Sequence, residues 1–250
     1  DMGILDIKVA IITGASSGIG RAAALLFAAE GAAVVLNARG PAALEAVADD
    51  IKARGGKASL VVGDVGEPAC QEALVEEAVS AFGGLDIAFN NAGTVGAFKP
   101  LADLAPDEWQ ATLTTNLTSA FLASRAQIPA MLQRGGGSIV FTSSFVGTSV
   151  GLPGMGAYAA AKAGLMGLVK AIAADYGARG IRANALLPGG TDTGMAGDQA
   201  QKDWAAGLHA MKRIAAPEEI ANAALFLAGP QSSFVTGSAL YADGGNAAVK

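Results

Sequence analysis

The sequence has one cysteine, one histidine and few aromatic residues: Cys70, His209, and 6% Phe, Trp and Tyr among 250 residues. A lone cysteine excludes an intramolecular disulfide framework and a multi-cysteine zinc site. It suits a reducing compartment, so a cytoplasmic protein is expected. His209 has no acid or cysteine partner at ligand spacing, so no metal is expected. Charge is also sparse. Only 16% of residues are charged, and 17 basic against 22 acidic side chains leave a net charge of −5. No basic excess exists to neutralise nucleic-acid phosphates, which excludes that class of partner. Long hydrophobic runs are missing too. The longest apolar stretch, residues 22–29, falls short of the roughly 18–20 residues that cross a bilayer, so no membrane partner is expected. The first residues, with Asp1, Asp6 and Lys8, lack the basic-then-apolar pattern of a secretory signal.

What is present is a chain able to bury a large core, with 52% hydrophobic residues. Short apolar runs rich in β-branched residues occur at 9–12, 33–36, 59–62, 87–90, 138–142, 182–187 and 238–241. They alternate with Ala- and Leu-rich stretches of helical length at 19–29, 41–54, 68–82, 106–132, 157–176 and 217–228. Near-continuous apolar strands joined by helical crossovers demand a parallel sheet covered on both faces. The expected fold class is therefore α/β, a doubly wound parallel sheet of about seven strands. No linker, charge block or repeat divides the chain, so residues 1–250 read as a single domain. The least regular stretch, 189–210, reads as a mobile insert over a pocket.

The first strand runs into Thr13-Gly14-Ala15-Ser16-Ser17-Gly18-Ile19-Gly20, and a helical pattern follows at once. Glycines there permit a tight turn and close backbone approach, and a helix N-terminus offers free N–H groups to a pyrophosphate. Gly14, Ser16, Ser17, Gly18, Ile19 and Gly20 are thus candidate dinucleotide ligands. An acid at the tip of the second strand would bind the adenine ribose hydroxyls. This tip reads Asn37-Ala38-Arg39, so nothing repels a 2′-phosphate and Arg39 can pair with one. NADP(H) is the expected cofactor, with NAD(H) as the alternative; the plainer reading of Arg39 is a solvated charge. Asp64 and Val65 follow the third strand, where the Asp64 carboxylate can accept from the adenine amino group or simply cap a helix.

Together with that loop, Asn90-Asn91-Ala92-Gly93, Tyr158-Ala159-Ala160-Ala161-Lys162 and Pro188-Gly189 resemble the classical short-chain dehydrogenase/reductase family over almost the whole chain. The resemblance implies a single Rossmann-like domain and hydride transfer between a nicotinamide and a carbonyl or alcohol. It also implies that Asn90, Ala92 and Gly93 support the cofactor. Pro188, Gly189, Thr191 and Thr193 would meet its carboxamide or pyrophosphate, the plainer reading of Thr193 being a loop hydroxyl.

The residues make chemical sense by themselves. Tyr158 and Lys162 stand four apart on a predicted helix and share one face. A tyrosine titrates near pKa ~10, and a neighbouring cation favours its phenolate, so Tyr158 is the candidate proton donor and acceptor. By resemblance Lys162 also holds the nicotinamide ribose. Ser144 would stabilise charge on the substrate oxygen, with Ser143 as the weaker candidate. The Ser144–Tyr158 separation of fourteen residues is one more than the family's commonest spacing. Asn116, an asparagine inside a predicted helix, marks a polar task or a kink; by resemblance it joins Lys162 through water in a proton relay.

Phe145, Leu152, Met155, Met195, Trp204 and Leu208 are candidate lining for an apolar substrate pocket. Cys70 reads as an incidental thiol. The expected activity is that of an NADP(H)-dependent carbonyl reductase or alcohol dehydrogenase acting on a small carbonyl or alcohol. The small-residue face of residues 157–174 permits close helix approach, and the resemblance implies a homotetramer formed through such helices. A 3-oxoacyl-[acyl-carrier-protein] reductase is the rival enzyme, and a noncatalytic dinucleotide sensor or scaffold is the rival of another class.

Overall fold

Seven parallel strands form the sheet, in the order β3-β2-β1-β4-β5-β6-β7. The computed structural model describes residues 3–249; Asp1, named above for its charge, lies outside them. The strands are β1 Val9–Thr13, β2 Ala33–Ala38, β3 Lys57–Val62, β4 Ile87–Asn90, β5 Gly137–Thr142, β6 Ile181–Pro188 and β7 Ala239–Ala242. The helices are α1 Gly18–Ala29, α2 Pro41–Ala53, α3 Pro68–Phe82, α4 Pro106–Leu113, α5 Ser119–Gln133, α6 Gly156–Tyr176, α7 Gln199–Gly207 and α8 Pro217–Ala228. The fold is the expected single-domain, Rossmann-like doubly wound sheet.

Strand residues alternate between two cores. Ala10, Ile12, Val34, Leu36 and Phe89 face α1, α2 and α8. Val9, Ile11, Val35, Ala88 and Phe141 face the layer holding α3, α5 and α6. This period of two is why the apolar runs carry almost no polar residues: both faces are covered. Proline sets the start of α2, α3, α4 and α8, where the missing N–H costs nothing. By length and composition α6 could cross a bilayer; here it packs on the sheet and carries Tyr158 and Lys162. Strand order reverses between β1 and β4, and in open α/β sheets the crevice beyond that reversal is where ligands bind.

Two expectations need correction. The stretch 106–132 is not one helix: α4 passes into a π-type turn, Thr114–Thr118, before α5 begins. The stretch 189–210 is more regular than a mobile loop, because it holds α7, whose start is closed by a reciprocal pair. Asp198 accepts from the Gln201 backbone N–H, and the Gln201 side chain accepts from the Asp198 N–H. Its boundary also extends further. Residues 190–192 pair with Ala215, through Ala215 N–H to Gly190 O and Asp192 N–H to Ala215 O, so the insert closes on a two-stranded neck.

Candidate active site

The loop between β1 and α1 is shaped by glycine. Gly14 and Gly18 adopt left-handed φ values of +66° and +52°, and a Cβ on Gly20 would strike the Gly14 carbonyl. No side chain caps α1 at Ser17, so its first N–H groups stay open beside Ser16 and Ile19. The Thr193 methyl lies 2.9 Å from where a Gly18 Cβ would be. The insert therefore reaches back over this loop.

At the tip of β2, Asn37 turns inward and donates to Val61 O (3.0 Å) and Gly63 O (3.2 Å), leaving Arg39 exposed just beyond the strand. Asp64 is exposed and accepts from the Gly66 N–H at 2.8 Å, ahead of α3, while Val65 is buried. Cys70 is buried against Asn37, and burial pushes its thiol up, away from the reactive thiolate.

The turn after β4 is welded to β1. The buried Thr13 hydroxyl accepts from the N–H groups of Asn91 and Ala92, each at 3.0 Å. Asn91 donates to Thr13 O and accepts from the Thr142 hydroxyl at the end of β5. Asn90 and Gln127 exchange two amide hydrogen bonds, 3.0 and 2.9 Å. Gly93 then passes so close to the centre that a Cβ there would lie 2.8 Å from Asn116 Oδ1 and 3.3 Å from Lys162 Nζ.

Asn116 sits in the π-type turn, buried. Its amide donates to Thr94 O (2.8 Å) and Thr112 O (2.9 Å), and its oxygen accepts from the Thr94 N–H (3.1 Å). One side chain thus clamps the 91–96 loop to the helix and explains the local widening.

Tyr158 and Lys162 share a face of α6, with Nζ 5.6 Å from the tyrosine ring centroid. Ser144, buried beyond β5, accepts from the Val146 N–H at 3.1 Å and stands beside the Tyr158 hydroxyl, where it works to lower the phenol. Ser143 points elsewhere, donating to Lys162 O at 2.8 Å. Between Ser144 and Tyr158 the chain makes a tight turn closed by Gly147 N–H to Val150 O. Lys162 is buried and donates to Thr142 O at 2.6 Å; desolvation lowers its ammonium from 10.5 to about 8. Tyr158 departs from expectation. Burial raises its phenol, and Ser144 only partly offsets that, so the lysine does not bring it below its ordinary value in this arrangement.

Pro188 ends β6, and Thr191 donates to Gly189 O at 3.0 Å just past it. Of the apolar candidates Phe145 is buried, Leu152, Met155 and Leu208 are half-buried, and Met195 and Trp204 are exposed. Two more exposed apolar residues flank the approach to Tyr158: Phe98 lies against Gly154 and Leu101 against Gly156. Thr13, Gln127 and Thr142 had no assigned role in the sequence reading. Gln127 carried a usable signal, since it lies about three helical turns after Asn116 on the same side, a long amide among small residues. Among the described residues no cluster of His, Cys, Asp or Glu could hold a metal ion.

Residues 14–247 match the family model described as enoyl-(acyl carrier protein) reductase. The chain is 41% identical over 237 residues to the cyclohexanol dehydrogenase of Acinetobacter sp. (strain SE19), covering 95% of this chain and 94% of the relative. A short-chain dehydrogenase from Burkholderia cenocepacia J2315, solved with NADP, superposes with TM-score 0.92 at 37% identity, over 98% of this chain and 100% of the other. Carveol dehydrogenase from Mycobacterium avium, solved with NAD, superposes with TM-score 0.93 at 31% identity, over 98% and 99%. The glycine loop, the Ser144–Tyr158 contact and these relatives lead to one conclusion: the chain belongs to the classical short-chain dehydrogenase/reductase family, oxidoreductases that move hydride between a nicotinamide cofactor and an alcohol or carbonyl group.

Proposed function

We propose that this enzyme uses NADP(H) in preference to NAD(H) and interconverts uncharged apolar ketones and secondary alcohols, cyclic ones such as cyclohexanol among them. The observation that carries the reading is Tyr158 gathered with Ser144 and buried Lys162, whose Nζ lies 5.6 Å from the tyrosine ring centroid, beside a glycine-walled cradle. The loop fits a dinucleotide, because Gly14 and Gly18 hold left-handed conformations, Gly20 lets α1 start tight against the loop, and α1 begins uncapped. Gly14, Ser16, Ser17, Gly18, Ile19 and Gly20 would hold the pyrophosphate. Arg39 would take the 2′-phosphate, and Asp64 and Val65 the adenine. Asn90, Ala92, Gly93, Tyr158 and Lys162 would hold the nicotinamide ribose, and Pro188, Gly189, Thr191 and Thr193 the carboxamide end.

When bound, the nicotinamide supplies or accepts the hydride. Ser144 donates a hydrogen bond to the substrate oxygen and stabilises the charge that develops there. Tyr158 gives that oxygen its proton in reduction and takes it back in oxidation; a phenol kept protonated by burial suits the reductive direction. Lys162 orients the ribose and resupplies the proton, and Asn116 fixes the loop beneath it. The exposed apolar side chains Phe98, Leu101, Met195 and Trp204 supply a hydrophobic mouth. An acyl-carrier protein is acidic, and the net charge of −5 works against docking it. The enzyme is assigned to the cytoplasm on its single buried thiol, and to a homotetramer on its exposed faces.

Kinetics of NADPH and NADH oxidation against a panel of cyclic and open-chain ketones and a carrier-bound 3-oxoacyl thioester test the reading. Turnover of cyclic ketones with tighter NADPH binding, and loss of that preference in Arg39→Ala, is expected. Equal affinity for both cofactors, unchanged in Arg39→Ala, would overturn the cofactor assignment. Turnover confined to the thioester would overturn the substrate assignment.

A further inference from the structure

We infer that His209 is a positioning residue whose imidazole sets the Gly189–Gly190 backbone against the base of the insert, tying cofactor binding to the placement of α7. The inference rests on the assignment of residues 188–193 to the nicotinamide end of the cofactor.

His209 is the only histidine of the chain and is buried. Its Nε2 lies 2.9 Å from the Gly190 nitrogen, and its Nδ1 lies 2.6 Å from Ala205 O. The partners fix the tautomer. A backbone N–H can only donate and a carbonyl can only accept, so Nδ1 carries the proton and Nε2 is the acceptor. One neutral ring therefore links α7, through Ala205, to the neck of the insert, through Gly190. The fit is close: a Cβ on Gly189 would lie 2.5 Å from Nε2. The ring also stands edge-on to Phe145, 6.1 Å between centroids at 67°, next in sequence to Ser144.

The neck is also held by its pairing with Ala215, and the partly exposed ion pair Lys202–Asp192 (2.7 Å) joins it to α7 from the outside. A cavity of about 260 Å³ borders Gly189 and Gly190 together with Ile220, Tyr241 and Gly244, leaving that side of the neck without a packed neighbour. The nearby charges are engaged elsewhere. Arg213 pairs with Glu219 at 2.6 and 2.7 Å, Lys212 donates to Gly207 O, and Asp243 accepts from the N–H groups of Gly245 and Ala247. A ligand pressing on Gly189 thus has a buried, hydrogen-bonded route to α7 through the imidazole, beside the more exposed Lys202–Asp192 ion pair.

Because the histidine is unique, ¹⁵N-edited NMR of the ring reads the site in the intact protein without a substitution. The Nδ1-protonated tautomer and a shift of both ring nitrogens on saturation with NADPH are expected. His209→Leu removes the acceptor of the Gly190 N–H. Losing one buried hydrogen bond predicts about a tenfold rise both in the NADPH dissociation constant and in the KM of the ketone, with kcat much less affected. His209→Gln, which can still accept that N–H, should recover most of the loss. An Nε2-protonated ring, ring signals indifferent to NADPH, or His209→Leu with wild-type cofactor affinity and KM and only a lower Tm would overturn the inference. If the leucine variant does not fold, the wild-type ring signals decide alone. A wild-type protein that binds neither NADPH nor NADH would instead overturn the cofactor reading, and this inference with it.

Discussion

Burial pushes the two titrating groups of the site in opposite senses, raising the Tyr158 phenol and bringing the Lys162 ammonium down to about 8. Both shifts follow from desolvation, which disfavours the charged form. Tyr158→Phe keeps the ring and removes only the proposed proton carrier, so turnover should fall by ~10²–10⁴-fold while the NADPH dissociation constant barely moves. A loss below about tenfold would mean that another group carries the proton. Lys162 also leaves a mark on stability. Between pH 8 and 10.5 the unfolded chain holds a proton that the folded lysine has released, so unfolding free energy should rise with pH, by on the order of 3 kcal/mol in all. Tyr158 acts the other way from about pH 10, where the unfolded phenol ionises and the folded one does not. Urea unfolding from pH 7 to 10 should show the rise in wild type and its absence in Lys162→Met; identical pH profiles would refute it. At this scale the spacing of Tyr158 and Lys162 was legible, because it needs only a helix. The tasks of Thr13 and His209 were not, since each bonds a backbone group brought near only by the sheet or the neck.

The element least readable in advance is the helix through Asn116. Its composition is helical on both sides, and the residues 106–132 read as one unit because nothing in 114–118 is a breaker. Asn116 accounts for the difference. Its side chain takes the Thr94 N–H and C=O and the Thr112 carbonyl, bonds that a regular turn would leave to other partners. The misfit of an interior asparagine was visible; the partner strand of loop 91–96 was not, being far away in sequence. Asn116→Leu should leave the half-buried Thr94 backbone groups unpaired and cost about 1–3 kcal/mol, read as a lower urea midpoint at unchanged slope. Turnover should fall further than stability explains, because the same loop carries Gly93 against Lys162. An Asn116→Leu variant of wild-type stability and rate would show that the clamp is dispensable. The insert makes the complementary point: its irregular composition hid a short helix, α7, whose Asp198–Gln201 capping pair is in fact a sequence signature.

At the scale of the molecule, what is left uncovered is specific. The sheet has two free edges, and they differ. Edge strand β3 begins with exposed Lys57, a charge that discourages pairing with another chain, whereas β7 reads Ala-Leu-Tyr-Ala and carries none. Around β7 stand the exposed Phe226, Phe234 and Tyr241. A second uncovered face lies on the other layer, where exposed Phe121 on α5 joins Ala160, Gly167, Ala171 and Ala174 of α6, small residues that permit close helix approach. A tetramer of dihedral symmetry, as proposed above, requires two distinct faces on one chain, each making its own twofold contact, and these two exposed faces are assigned to it. Sedimentation at micromolar concentration should therefore show a species of four times the chain mass. Phe234→Asp, placed on the β7 side only, should halve it to a dimer without altering the far-ultraviolet circular dichroism. A monomer for the wild-type protein would refute the assembly, and an unchanged tetramer in Phe234→Asp would move the contact away from the β7 edge.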